Sequence, residues 1–478
     1  MPQDRLQLQF LSDDGLDQIE ETAYRLLEEV GLALEHEGAR EMLHGHGCLI
    51  EGERATIPRG VVAWALDNVT PDRDGLKRDG SPAFTLGDGQ VRFHNGGGQP
   101  HVLDLDTGQS RPSTVQDVAD VTRLLDALPN IDQITPLFSP QDVPPQLMMV
   151  ESTAAMLRNT TKPLSSAAID KPEDVPYVVE MAAACCGGLE AFRQRPNMTV
   201  SVSPVSPLSF GFGVTGAIIA VVQSGAPFHS LPAPTLGATG PVTMAGCLAQ
   251  QHAEILASFV IAAATRPGAL VGYCSRISPI DLRTALTAWG SPEVGMTAAC
   301  AGQLAHRLGF PCDAYGLASQ SRLLDPQHAY ERLSNALVPA LAGVDMLSGA
   351  GNGGGLVAGF EISVIDDEII SMIKHIVAGC PVDDVTLAYD VMAGVIPRDG
   401  VFLGEMHTVR QMRQGALWMP GVSTRGEGEQ GPDVGVVKRA QARAREILSS
   451  HEVEPLPDET SQHLDEIRAR ARRELTGE

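Results

Sequence analysis

Near the start of the chain, Leu16, Ile19, Ala23, Leu26, Leu27 and Val30 recur at helical spacing, so they share one face of an amphipathic helix. Ser12 stands where an N-cap belongs, and Gly31 stands where the chain must leave the helix. A second, short helix is predicted over about residues 37–46 and ends at Gly47. Phe84-Thr-Leu86 and Val91-Arg-Phe93 flank Gly87-Asp-Gly89-Gln90, which predicts a hairpin whose glycines take positive φ. Residues 1–110 therefore read as an α+β lobe.

After Thr114, an N-cap with Asp117 three residues on, short apolar runs alternate with longer helical ones. Strands are predicted at 131–135, 164–169, 199–203, 228–231, 270–273, 312–315 and 344–347, with an eighth to be found. Helices are predicted at 172–184, 214–223, 242–265, 292–308 and 326–341, several with proline in the first turn. No strand runs into GxGxxG at the head of a helix, so a dinucleotide-binding fold is disfavoured. The pattern predicts an α/β protein: a TIM (β/α)8 barrel over 111–400, preceded by the lobe and followed by a helical extension over 401–478. The arginines of that extension are interleaved with acids and read as a solvated or docking face.

The 478 residues are enough for such a barrel with an added lobe, and no uninterrupted apolar run approaches the roughly 20 residues that span a bilayer. No secretory leader is visible at the N-terminus, and a cytoplasmic location is expected. The eight cysteines form no CxxC pair, so they read as reduced and packed rather than as a disulfide framework or a zinc ribbon. A net charge of −24 would repel nucleic acid and anionic lipid and suits a cationic or zwitterionic ligand.

In a barrel the chemistry gathers at the C-terminal strand ends, which selects Ser165, Ser203, His229, Tyr273, Asp313, Tyr315 and the segment from Ser348 to Gly355. Tyr273, Tyr315, Phe360 and Trp289 could offer π faces to a quaternary ammonium, or the tyrosines could simply seal the barrel mouth. Ser348, Gly349, Gly351, Asn352 and Gly353 suit close approach of a large ligand to the backbone, or a flexible turn; the run lacks the lysine of a P-loop. His229 is either a ligand-facing or a satisfied core histidine. Neither HExxH nor a Cys/His ligand run occurs, so no protein-bound metal is expected, and the absence of GxSxG argues against a serine triad. Glu254 sits among apolar neighbours and is read first as a helix-packing group, second as a participant in chemistry.

Several motifs in order resemble the trimethylamine methyltransferase family over nearly the whole chain. They are Leu26-Leu-Glu-Glu-Val-Gly31, Val102-Leu-Asp-Leu-Asp-Thr-Gly108, Asp126-Ala-Leu-Pro-Asn-Ile131, Leu157-Arg-Asn-Thr-Thr-Lys-Pro163, Gly237-Ala-Thr-Gly-Pro-Val-Thr243, Asp366-Asp-Glu-Ile-Ile370 and Phe402-Leu-Gly-Glu405 with His407. The resemblance implies a barrel enzyme that moves a methyl group from a methylated amine to the cobalt of a corrinoid (cobalamin-type) protein. Members acting on trimethylamine carry pyrrolysine; this chain has only standard residues, and the matching neighbourhood is Ala318-Ser-Gln-Ser-Arg322. That departure points to the pyrrolysine-free branch and to a quaternary amine, glycine betaine or similar, as substrate. On this reading the corrinoid partner meets the Ser348–Gly353 region, Glu361 and the aromatic faces hold the cation, and Gln320, Arg322 or loop amides receive a carboxylate. No catalytic acid or base is implied, because no proton leaves the substrate. The resemblance also implies a homo-oligomer. The rival readings are a barrel lyase or hydrolase of another small cation, and a non-catalytic betaine or corrinoid binder.

Overall fold

A computed structural model describes residues 8–398, 400–425 and 435–477. The front of the chain behaves as its pattern dictates. Ser12 Oγ accepts from Gly15 N and opens the helix Asp13–Arg25, which buries Leu16, Ile19 and Ala23 and passes into a single π turn, Leu26–Val30. Gly31 follows at φ 71°, where a Cβ would lie 2.3 Å from the Ala55 carbonyl oxygen. The helix Glu37–Gly45 and the strands Leu32–Leu34, Leu49–Glu51 and Arg54–Thr56 complete this part, joined by the strand Ser209–Phe210 from further along the chain.

The body is a curled parallel sheet with helices outside it. Its strands follow one another in the order Leu164–Ser165, Met198–Val202, Phe228–Ser230, Ala269–Ser275, Cys312–Tyr315, Met346–Ala350 and Arg92–Asn95. Parallel bridges from His94 to Gln133 and from Ile134 to Leu164 link the last strand back towards the first through the 131–135 run. The Arg92–Asn95 strand corrects the sequence reading. The predicted hairpin does not form: Pro82–Thr85 pairs with Asp74–Leu76, and Arg92–Asn95 joins the parallel sheet instead. The Val69–Pro71 strand pairs with the beginning of Ala269–Ser275.

The helices Val175–Cys185, Phe212–Ser224, Met244–Thr265, Pro292–Arg307 and Pro326–Leu341 lie between successive strands. Met244–Thr265 is the one helix among the described residues long and apolar enough to cross a membrane. It is buried instead against Asp13–Arg25, Arg59–Asp67 and Phe212–Ser224. Outward-facing Val200, Phe228, Val271, Cys312, Ala314 and Leu347 pack with these helices into the main core. The helix Val115–Ala127 starts with the expected capping box, in which Thr114 and Asp117 satisfy each other's backbone amides.

The arginine-rich tail is docked. The helix Val436–Ser450 buries Ala440, Ala444 and Ile447 against Phe360–Ala378, and Asp458–Thr476 buries Leu464, Ile467 and Ala471 against Val175–Cys185. Arg468 pairs with Glu151 at 2.6 Å, and Arg470 pairs with Glu180. All eight cysteines are free thiols, five of them buried.

Candidate functional site

Side chains alternate across a strand, and in-register neighbours of a parallel sheet face the same way. Register places Ser201, His229 and Gly272 side by side, then Cys274 beside Asp313, and Tyr315 beside Ser348. These residues line the inner side of the curled sheet, opposite the apolar set that meets the helices. An inner face of Ser, His, Cys, Asp and Tyr is polar where a packed barrel would hold Val, Ile and Leu. Accessibility rises along each strand: buried Ser201, Cys274 and Asp313 are followed two residues later by half-buried Ser203, Arg276 and Tyr315. The inner face is thus a cup that opens at the C-terminal strand ends.

Near its base, His229 Nε2 lies 2.8 Å from Asp72 Oδ2. The ring has room because Gly272 is its neighbour; a Cβ there would come within 2.4 Å of the imidazole. One level up, Asp313 accepts from Arg276 Nη2 at 2.8 Å and meets His94 Nε2 at 3.2 Å. Burial alone would push the Asp313 carboxyl up, but Arg276 and His94 together hold it well below the usual carboxylate range. Burial, with Asp313 beside it, pushes the Cys274 thiol far up. His229, Cys274 and Asp313 offer ligand atoms all within 4.8 Å of one another, the one such group found among the described residues. A cation entering there would have to displace Arg276 and His94 from Asp313.

At the mouth, Asn352 Nδ2 donates to Tyr315 Oη at 3.0 Å, and the Trp289 and Tyr315 rings lie 4.9 Å apart at 52°. Gln320 steadies this pair by accepting from Trp289 N at 3.0 Å, while its own amide N–H donates to Glu331. Asn352 lies against Gly96, where a Cβ would overlap it. Two buried atoms beside the cup, His94 Nδ1 and Asn352 Oδ1, have no hydrogen-bond partner within the chain. A polar ligand could supply one.

The structure places the other sequence-selected residues elsewhere. Tyr273 lies one residue off the inner register and turns outward, its hydroxyl 2.9 Å from His252 Nδ1. Burial pushes this phenol well up and His252 down to about 4. Phe360 is buried against Phe138 at 6.3 Å. Glu361 is buried between helices, where Oε1 accepts from Gln441 at 3.1 Å, and its carboxyl is pushed up by burial. Gly349, Gly351, Gly353 and Gly354 each approach protein closely: Cβ atoms there would fall 2.4 Å from Leu317 O, 2.7 Å from Ser363 Oγ, 3.0 Å from Val357 O and 2.5 Å from Ser321 O, while Gly353 and Gly354 also border a cavity. The turn is held by Asp366, which accepts from Gly351 N at 2.7 Å and pairs with the fully buried Arg332 at 2.7 Å. Arg322 is exposed and lines this cavity, of about 490 Å³, with His101, His328, Gly353, Gly354 and Gly355, so the structure brings Arg322 and Gly353 together. Glu254 clasps the 206–208 loop, accepting from Ser206 Oγ at 2.8 Å and Leu208 N at 2.9 Å, so its packing role holds.

Asp72, His94, Cys274 and Arg276 were not selected from the sequence. Gly272, Cys274 and Arg276 share one parity, which would have found the last two; Asp72 has no local signal, because it enters from a distant strand.

A polar cup at the C-terminal ends of a curled parallel sheet is where α/β enzymes hold small ligands. The chain belongs to the trimethylamine methyltransferase family, whose model matches residues 3–476. It is 30% identical over 460 residues to the trimethylamine methyltransferase MttB of Desulfitobacterium hafniense strain DCB-2, covering 95% of this chain and 92% of that one. It is 28% identical over 470 residues to the glycine betaine methyltransferase of Desulfitobacterium hafniense strain Y51, covering 97% of each. Among solved structures, the hydroxylamine complex of MtmB superposes with a TM-score of 0.51 at 13% identity over 95% of this chain and 90% of that one, a likeness of fold.

Proposed function

We propose that the protein moves a methyl group from a quaternary amine, glycine betaine or a close analogue, to the Co(I) of a corrinoid carried by a partner protein. On this reading it works in the cytoplasm as a (β/α)8 barrel with an N-terminal α+β lobe and a helical C-terminal extension, and without pyrrolysine or a resident metal. The supporting observation is that the cup leaves neither of its acids without a partner. Asp313 is committed to Arg276 and His94, and Asp72 to His229. Positive charge leaves nitrogen as the methyl departs, so a bare carboxylate beside the cation would stabilise the ground state more than the transition state and slow the reaction. The aromatic faces of Trp289 and Tyr315 hold the cation without a formal charge. Glu361, buried under the C-terminal helix, takes no part.

Reduced cobalt, when its carrier docks, supplies the electron pair that accepts the methyl. The cup fits that need. It is open at the strand ends, and Ser203, Arg276 and Tyr315 stand at its half-buried upper level. Arg276, beside the aromatic pair, is placed to receive the carboxylate of a zwitterion and so to fix which methyl points outward. The buried orphan atoms His94 Nδ1 and Asn352 Oδ1 complete the lining.

The test is demethylation of candidate quaternary amines with chemically reduced cobalamin, followed by methylcobalamin absorbance. Methylcobalamin formed with glycine betaine or an analogue supports the reading. Its absence with every quaternary amine overturns it, and saturable binding without turnover identifies a binder instead.

A further inference from the structure

Two loops that serve the cup continue directly into the wall of the cavity of about 490 Å³. Gln320, which accepts from Trp289 N, is followed by Ser321 and Arg322; Asn352, which donates to Tyr315, is followed by Gly353, Gly354 and Gly355. Gly354 N donates to Ser321 O at 3.1 Å and joins the two loops. The space falls within the roughly 300–1,000 Å³ of pockets that hold small molecules.

Its charge is unlike that of the chain around it. The protein has 59 acids against 35 bases, yet no Asp or Glu lines this cavity, whereas Arg322, His101 and His328 do. Arg322 is exposed and makes no ion pair or hydrogen bond among the described residues. Gly355, at φ 77°, lets the guanidinium lie along the loop: a Cβ there would come within 2.9 Å of Arg322 Nε. Asp325, the nearest acid along the chain, is occupied as the cap of helix Pro326–Leu341, its Oδ1 accepting from His328 N and Ser321 Oγ, each at 3.0 Å.

A second signal comes from beneath. His328 is 3% exposed, and its Nε2 accepts from Arg332 Nε at 2.7 Å, so in the neutral ring the proton sits on Nδ1. Burial and the Arg332 charge keep the ring neutral, pushing its pKa down to about 3. The Ser321 carbonyl acts on its charge without meeting Nδ1 in a hydrogen bond, and that buried N–H has no partner in the chain. Buried donors are normally paired, and the cavity is where the missing acceptor fits. The rest of the lining is largely apolar: Leu103, Leu323, Leu324, Val357 and Ile362.

We propose that this cavity is a second binding site, for an organic anion with an apolar body. A carboxylate or phosphate monoester head is held by Arg322 and the His328 Nδ1–H, and a short hydrocarbon portion lies against the leucines. A metal cation is repelled by the unpaired guanidinium, and a quaternary amine finds no aromatic face on these walls. The occupant braces both loops that hold the Trp289–Tyr315 pair without entering the cup. The assignment does not rest on what the cup transfers.

The test is isothermal titration of the full-length protein with hexanoate and hexyl phosphate, beside hexanol and hexylamine. It is repeated with Arg322→Gln and in saturating tetramethylammonium, a cation with no acid group for Arg322 to hold. The expected result is saturable binding of at least one anion, the tighter of the two naming the head group, weakened on the order of tenfold in R322Q and unmoved by tetramethylammonium. Failure of both anions to saturate overturns the proposal. So do equal binding of hexanol or hexylamine, unchanged binding by R322Q, and displacement by tetramethylammonium. Should R322Q lose its far-UV circular dichroism, hydrogen exchange on the wild type decides: protection by the anion at 320–324 and 353–357 supports the site, and protection elsewhere or none refutes it.

Discussion

At the scale of single residues, the decisive contrast is between two tyrosines near the ends of neighbouring strands. Tyr315 faces the cup and packs on Trp289; Tyr273 faces the helices and bonds to His252. Replacing Trp289 with alanine removes a cation–π surface worth about 0.5–2 kcal/mol, so KM for the quaternary amine should rise roughly 2- to 30-fold with a smaller change in kcat, measurable by steady-state kinetics. Tyr273→Phe should leave KM unchanged and lower stability by about 1–3 kcal/mol in denaturant titration, because it strands a buried imidazole nitrogen. His252 itself gives a pH signature. Its folded pKa is depressed by burial to about 4 from 6.5. Between those values the unfolded chain binds the extra proton, so the stability that neutral His252 contributes is complete above about pH 6.5 and is lost as pH falls towards 4. His252→Asn should flatten the dependence of unfolding free energy on pH by up to one proton in that window, and an unchanged slope would contradict the assignment.

At the scale of elements, most of the body could be read from the chain because short apolar runs bounded by turn residues leave few alternatives. The strands predicted at 199–203, 228–231 and 312–315 fall within a residue of Met198–Val202, Phe228–Ser230 and Cys312–Tyr315, and the helix Pro326–Leu341 lies where proline and periodicity put it. The failures have physical causes. Arg92–Asn95 was assigned to a hairpin because Gly87 and Gly89 mimic its turn, whereas its true partners lie far along the chain. The 131–135 run was recognised as apolar, yet it joins the sheet only through single bridges. Tyr273 was chosen because it ends an apolar run; both faces of that strand are buried, which hides its parity, and Gly272, Cys274 and Arg276 take the inner side. The glycine-rich segment after Ser348 reads as a cradle for a ligand or as a turn; Gly349 lies against Leu317 and Gly354 against Ser321, and Gly353 to Gly355 also border the cavity that Arg322 lines. What keeps that turn in place is Asp366. Burial pushes its carboxyl up to about 6 against the pull of Arg332. Asp366→Asn leaves the guanidinium uncompensated in a dry site and should cost about 3–5 kcal/mol, seen as a lower Tm, together with weaker substrate binding as Asn352 loses its support.

At the scale of the whole molecule, charge sets the terms on which a carrier can approach. A body at −24 repels an acidic partner, so a productive carrier should present a basic patch near its corrinoid. Methyl transfer to such a carrier should then slow as ionic strength rises, while transfer to free cobalamin stays nearly constant; stopped-flow traces over a salt series would show the difference.

One rod connects the two ends of this design. Helix Phe360–Ala378 carries Asp366, which fixes the turn under Asn352, and two residues later Glu368, which accepts from Gly421 N and Ser423 N. A break in that rod, such as I370P, should therefore loosen both ends at once: substrate binding weakens while amides of 421–423 exchange faster.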